Sequence, residues 1–220
     1  MILRGQAMEP VLDEMEVRVL GSLIEKQLTT PDYYPLSLNA LTNACNQKSN
    51  RDPVVSYTEE TVQTVLEGLE QKGLVQKSVI GRVPKYEETF IRPRNLVTRE
   101  SAVLCVLLLR GAQTAGELRA RTERMGRFES LDEVHETMGR LEEWGYVRRL
   151  ARLAGHKEAR YVHLLGPEPQ LAQGPAMSAE KTDAGSEPGR LEIIESQLGA
   201  LRQELDQLKT AFEDFKRQFG

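Results

Sequence analysis

One pattern, a helix that ends on glycine and runs straight into a strand, occurs twice in this chain, and no other feature limits the available folds as much. In Thr61–Lys77, TVQTVLEGLEQKGLVQK, Val62, Val65, Leu66 and Leu69 fall on one helical face, Gly73 stops the helix, and Leu74 and Val75 begin a strand. The design returns in His135–Arg149, HETMGRLEEWGYVRR. There Val134, Met138 and Leu141 make the stripe, Gly145 supplies the left-handed residue that a Cβ would penalise, and Tyr146 and Val147 start the strand. Each strand leads through a turn to a second strand containing Lys85-Tyr86 or Arg160-Tyr161. Helix, glycine, strand, turn, strand is the second half of a winged helix-turn-helix, and its duplication predicts two such modules.

The expected fold is therefore mainly α with small β-hairpin wings (α+β): two tandem winged helix-turn-helix domains over residues 10–93 and 94–166. A flexible Pro/Gly linker over 167–189 and a coiled-coil helix over 190–220 complete the chain. The longest apolar run, Ala102 to Leu109, is far too short to span a bilayer, and the N-terminus lacks a charged-then-apolar signal, so a cytoplasmic, non-membrane protein is expected. Cys45 and Cys105 sit in helical patterns of different modules and read as buried reduced thiols.

A net charge of −4 conceals an uneven distribution. Residues 1–93 carry 10 basic and 13 acidic side chains, residues 94–166 carry 13 and 10, and the remainder 6 and 10. Only the middle stretch is basic, so a phosphate-binding surface is sought there first.

Along the first module, Asp13 opens a helix with Val17, Leu20, Leu23 and Ile24 at core spacing. Pro31 and Pro35 stiffen the loop that follows. Ser37 is placed to cap a short helix with Leu38, Leu41 and Cys45. The polar run Asn46–Pro53 precedes Thr58, which caps the repeated helix.

These residues resemble a known family, the YceH-like bacterial proteins, which are tandem winged-helix proteins. The matching stretches are Arg18–Gly21, Leu23–Lys26, Thr29–Asp32, Tyr34–Leu41 and Ala44–Arg51, then Leu107–Gly111, Gly116–Arg119 and Lys157–Tyr161. The resemblance covers roughly residues 13–165 and implies the fold, without a substrate or reaction.

Thr98 is expected to cap the first helix of the second module, whose apolar block Ala102–Leu109 has so little polar face that it must be covered on more than one side. It is expected to lie against the first module or a second subunit. Thr114 caps a shorter helix, and Ser130 with Glu133 forms a capping box for the next. Beyond the linker, Leu191, Ile194, Leu198, Leu201, Leu205, Leu208, Phe212, Phe215 and Phe219 alternate three and four apart, the seam of a coiled coil. With Leu191 at position a, Arg190 with Glu195 and Glu204 with Lys209 attract across a parallel interface. A parallel homo-oligomer, a dimer, is expected; the alternative is one amphipathic helix folded back on its own modules.

No catalytic constellation is present: His135, His156 and His163 have no cysteine or carboxylate at metal-ligand spacing, and no glycine loop leads into a lysine and a hydroxyl. No cofactor or metal is expected, and an enzyme is disfavoured. Two binding readings remain. The first is a transcriptional regulator or nucleoid-associated factor on double-stranded DNA, acting through a basic second wing of Arg148, Arg149, Arg152, Lys157 and Arg160, extended by Arg119 and Arg121 and the nearby Arg124 and Arg127. In the first module Lys48, Asn50 and Arg51 are the candidates, the alternative being a hydrogen-bonded structural loop. Acids crowd both repeated helices and oppose this reading: Glu59, Glu60, Glu67 and Glu70, then Asp132, Glu133, Glu136, Glu142 and Glu143. The second reading is a non-enzymatic scaffold that binds another protein through the module surfaces, its stoichiometry set by the coiled coil.

Overall fold

A computed structural model of the chain describes residues 11–79, 83–151 and 158–166. The fold is mixed α/β, with six α-helices and two three-stranded antiparallel sheets among the described residues.

Helix α1 (Glu14–Thr29) starts where the Asp13 side chain accepts the Glu16 N–H at 2.8 Å and the Glu16 carboxylate accepts the Asp13 N–H at 2.8 Å. A 3-10 turn (Pro31–Tyr33) and strand β1 (Leu36–Ser37) lead to α2 (Leu38–Cys45), capped by Ser37 as its sequence suggests. Thr58 caps α3 (Glu59–Gln71), which buries Val62, Val65, Leu66 and Leu69. Gly73 takes φ of 68°, turning the chain into β2 (Val75–Ser78), and β3 (Lys85–Glu88) follows.

The second module repeats this order with α4 (Thr98–Arg110), β4 (Gln113–Thr114), α5 (Ala115–Arg121), α6 (Leu131–Glu143), β5 (Val147–Arg149) and β6 (Arg160–His163). Two expected caps differ in detail. The cap of α4 is Val97 rather than Thr98, because the Glu100 carboxylate accepts the Val97 N–H at 2.9 Å. Ser130 caps α6, but the Glu133 carboxylate takes the N–H of Glu129 at 2.8 Å instead of closing the box.

Strand order is β1-β3-β2 in one sheet and β4-β6-β5 in the other, so each hairpin gains a two-residue third strand that the sequence reading did not contain. Those strands are too short to show alternation. The repetition extends to side chains. Lys77 pairs with Tyr86 and Arg149 with Tyr161 in register. The Tyr86 hydroxyl donates to Gln63 Oε1 at 3.0 Å, and the Tyr161 hydroxyl lies 3.2 Å from His135 Nδ1. In each module, then, a tyrosine in the central strand fastens the hairpin to the third helix.

Both modules share one core. Helix α4, apolar on all sides, lies along α1 as its composition requires, with Gly21 against Leu108 and Leu109 and the Cys105 thiol 3.6 Å from the Gly21 carbonyl. Phe90 meets Tyr146 edge-on at 5.8 Å, and the Leu12 N–H donates to the Leu165 carbonyl at 2.8 Å. Cys45 and Cys105 are both buried and unpaired, and burial raises both thiol pKa values. No helix among the described residues is long and apolar enough to cross a membrane. The heptad segment over 191–219 lies outside the described residues.

Candidate nucleic-acid interface

The loop Asn46–Pro53 turns Arg51 inward. Arg51 is 5% exposed, and its guanidinium makes two hydrogen bonds to Glu25, at 2.6 Å to Oε2 and 3.0 Å to Oε1. It also donates to the Ala44 carbonyl from Nε at 3.1 Å and from Nη2 at 2.9 Å. Arg18, also buried, donates to the Pro53 carbonyl at 2.6 Å, and the Asn46 amide bonds the Tyr57 backbone in both directions. Arg51 therefore leaves the set of surface cations: a guanidinium enclosed by its own carboxylate and a carbonyl has no donor left to read a phosphate. Burial alone would raise the Glu25 pKa, but the hydrogen bonds and charges of Arg51 and then Lys26 together outweigh it and hold the carboxyl below its ordinary value. Lys48 stays exposed, and exposed Asn50, at φ of 59°, accepts from Arg110 Nη1 at 3.0 Å.

That bond leads into the second module. Arg110 ends α4, where burial first and the nearby Arg121 charge second hold its pKa below the ordinary guanidinium value. Arg121 Nη2 is 3.4 Å from Glu117 Oε1, and Arg160 Nη1 is 3.1 Å from Glu117 Oε2 and 2.7 Å from the Ala112 carbonyl. Glu117 Oε2 also takes the Thr114 N–H at 2.9 Å. One carboxylate thus caps α5 and occupies two of the arginines expected to meet phosphate. Arg110 was missed in sequence because a basic residue in a last helical turn reads as a partner of the helix dipole.

Arg119 donates to the carbonyls of Phe128 and Glu129, at 3.4 and 2.9 Å, and so braces the loop before α6. Arg127 pairs with Glu129 at 3.2 Å, while Arg124 is exposed. In the hairpin Arg148 and Arg149 are both exposed, but neighbours in a strand point to opposite faces, so the two do not converge on one surface. Arg152 and Lys157 lie outside the described residues. Of the cations of the second module, Arg110, Arg121 and Arg160 gather around Glu117, Arg119 of α5 and Arg127 engage the loop before α6, and Arg148 and Arg149 lie on either side of β5.

The third helix of each module faces outward with acids. Glu59, Glu60 and Glu67 are exposed on α3, and Asp132, Glu136, Glu142 and Glu143 on α6. A shallow cleft of about 130 Å³ between α1, α4 and the segment joining the modules is lined by Ile24, Gln27, Leu28, Ile91, Leu96, Thr98 and Ser101. That is well under the roughly 300 Å³ of a small-molecule site. Among the described residues no three His, Cys, Asp or Glu side chains are gathered as a metal site would require.

A family model described as "Protein of unknown function, DUF480" matches residues 12–156. A UPF0502 protein of Solibacter usitatus is 50% identical over 209 residues, covering 94% of this chain and 98% of the relative. One of Pelobacter propionicus is 48% identical over 223 residues, covering 96% and 100%, and one of Opitutus terrae is 56% identical over 162 residues, covering 71% and 70%.

Proposed function

The chain belongs to the DUF480 family of bacterial proteins, also named UPF0502, and from that premise we propose that it is a non-enzymatic protein-interaction scaffold built on tandem winged helices. The module order and the resemblance to the YceH-like proteins support the winged-helix reading. The observation that carries the scaffold is the chemistry of α3 and α6. These are the helices a winged helix would lay in a major groove, and they present Glu59, Glu60 and Glu67 and Asp132, Glu136, Glu142 and Glu143. Opposite phosphate each acid is repulsive, whereas against a basic or polar protein surface it sets orientation. The internal engagement of Arg51, Arg121 and Arg160 points the same way.

The test is retention of the full chain on nonspecific duplex DNA from low to moderate salt. A scaffold passes unretained. Salt-labile retention that weakens on Arg148→Ala, Arg149→Ala and Arg152→Ala would overturn it in favour of a DNA-bound regulator. The exposure of Arg148 and Arg149 on β5 favours that second reading. About five phosphate contacts would then give a log-log salt slope of about −4 to −5.

The heptad pattern over 191–219 supports a parallel homodimer acting in the cytoplasm, which would present the modules in pairs. Truncation at Pro188 should halve the solution mass; an unchanged oligomeric state rules the coiled-coil dimer out.

A further inference from the structure

We propose that the outer edge of β2 is a docking site for an extended segment of a partner protein carrying an acidic and an aliphatic residue two positions apart. This rests on the scaffold reading and names the kind of partner it takes.

The two hairpins are copies, yet their free edges are finished differently. β2 and β5 are the outermost strands of their sheets. In the second module the Leu150 N–H bonds the Arg160 carbonyl and the Leu164 N–H bonds the Tyr146 carbonyl, so by alternation Val147 and Arg149 turn their backbone groups away from β6. The Arg149 N–H is not left open, because Glu142 Oε1 accepts it at 2.9 Å. In the first module the Thr89 N–H bonds the Leu74 carbonyl, which by the same alternation turns the backbone of Val75 and Lys77 outward. Glu70 is the counterpart of Glu142, each three residues before the glycine that ends its helix, but among the described residues no bond joins Glu70 to Lys77. The same fold therefore occupies one outward amide of β5 with a carboxylate, while among the described residues the matching amide of β2 has no such partner.

An open edge pairs with any strand unless its side chains select one. A second copy of this chain is disfavoured, since antiparallel pairing about the centre of the exposed stretch sets Lys77 against Lys77. Lys77 is exposed over the Tyr86 ring at 6.0 Å, and among the described residues no carboxylate pairs with it. Val79, two residues on and of the same parity, is 69% exposed. A docked strand would thus place an acid opposite Lys77 and an aliphatic side chain opposite Val79, with backbone hydrogen bonds at the outward amides supplying affinity.

The probe is a labelled peptide with valine and glutamate two apart in a run of threonines, titrated against the full chain by fluorescence polarisation. Saturable binding is expected, weakened about tenfold or more by Lys77→Pro, which deletes an outward N–H and no ladder bond. Lys77→Glu should weaken it too and decides alone if the proline variant fails to fold. Absence of binding by the unaltered chain, or binding indifferent to both substitutions, overturns the proposal. So does self-association abolished by Lys77→Pro, which would give the edge to a second copy. The DNA experiment judges the scaffold reading separately, so the two can fail independently.

Discussion

The Arg51 guanidinium lies 2.6 Å from the Glu25 carboxylate, with the arginine side chain wholly removed from solvent and the glutamate 9% exposed. This pair ties the loop after α2 to α1; without Arg51 the Glu25 carboxylate keeps the Lys26 ammonium at 3.2 Å, but the Ala44 carbonyl loses its donors. Arg51→Ala should cost about 3–5 kcal/mol, read from the denaturant midpoint. The double variant with Glu25→Ala should cost less than the sum of the two single changes. Because Glu25 titrates below its ordinary value when folded, the stability it confers is complete above about pH 4.5 and is lost as pH falls through the folded pKa.

His163 adds a second loss of stability on acidification, from a different cause. Burial alone lowers its pKa from 6.5 to about 4, and among the described residues its Nδ1 has no hydrogen-bond partner. Between those values the unfolded chain binds a proton that the folded chain refuses, so stability falls as pH drops from 6.5 towards 4. The full loss is about 3 kcal/mol. Denaturant unfolding at pH 7 and pH 5 should show it, and His163→Leu should flatten the profile in that window. An unchanged slope in the variant would mean that other groups set it.

The joining of the modules is tested at Gly21. A Cβ there would sit 3.0 Å from Leu109 Cδ2 and 3.1 Å from Leu108 Cβ. Gly21→Val should therefore overpack the α1 and α4 contact and destabilise the protein by about 1–3 kcal/mol. Because the contact belongs to a core shared by both modules, thermal unfolding should remain one transition at a lower midpoint. Two separated transitions would show that the modules unfold independently.

Local rules made most of the architecture legible. The stripes of α3 and α6, the φ-positive Gly73 and Gly145, and the caps Asp13, Ser37, Thr58 and Thr114 are all properties of a few adjacent residues. The all-round apolarity of α4 announced a second covered side, and α1 provides it. The site was legible only as composition. Nothing near Arg51 in sequence reveals that Glu25 waits 26 residues upstream, and Arg160 finds Glu117 43 residues away. A count of basic residues cannot tell a displayed guanidinium from one whose donors are already spent, because that depends on tertiary pairing.

Glu117 offers the sharpest separation of those two conditions. Its carboxylate caps α5 and holds Arg121 and Arg160, and a glutamine in its place keeps the oxygen that accepts the Thr114 N–H while losing the charge. Glu117→Gln should thus stay within about 1 kcal/mol of the parent in stability. It should nonetheless elute from duplex DNA at higher salt, because two guanidiniums lose their ionic partner next to Arg110. Exposed Glu123→Gln makes the same change in net charge and serves as the control. Later elution for Glu117→Gln alone would identify Glu117 as the group that keeps the junction from binding phosphate. Equal elution of the two variants would mean that net charge, rather than this one carboxylate, governs contact with nucleic acid.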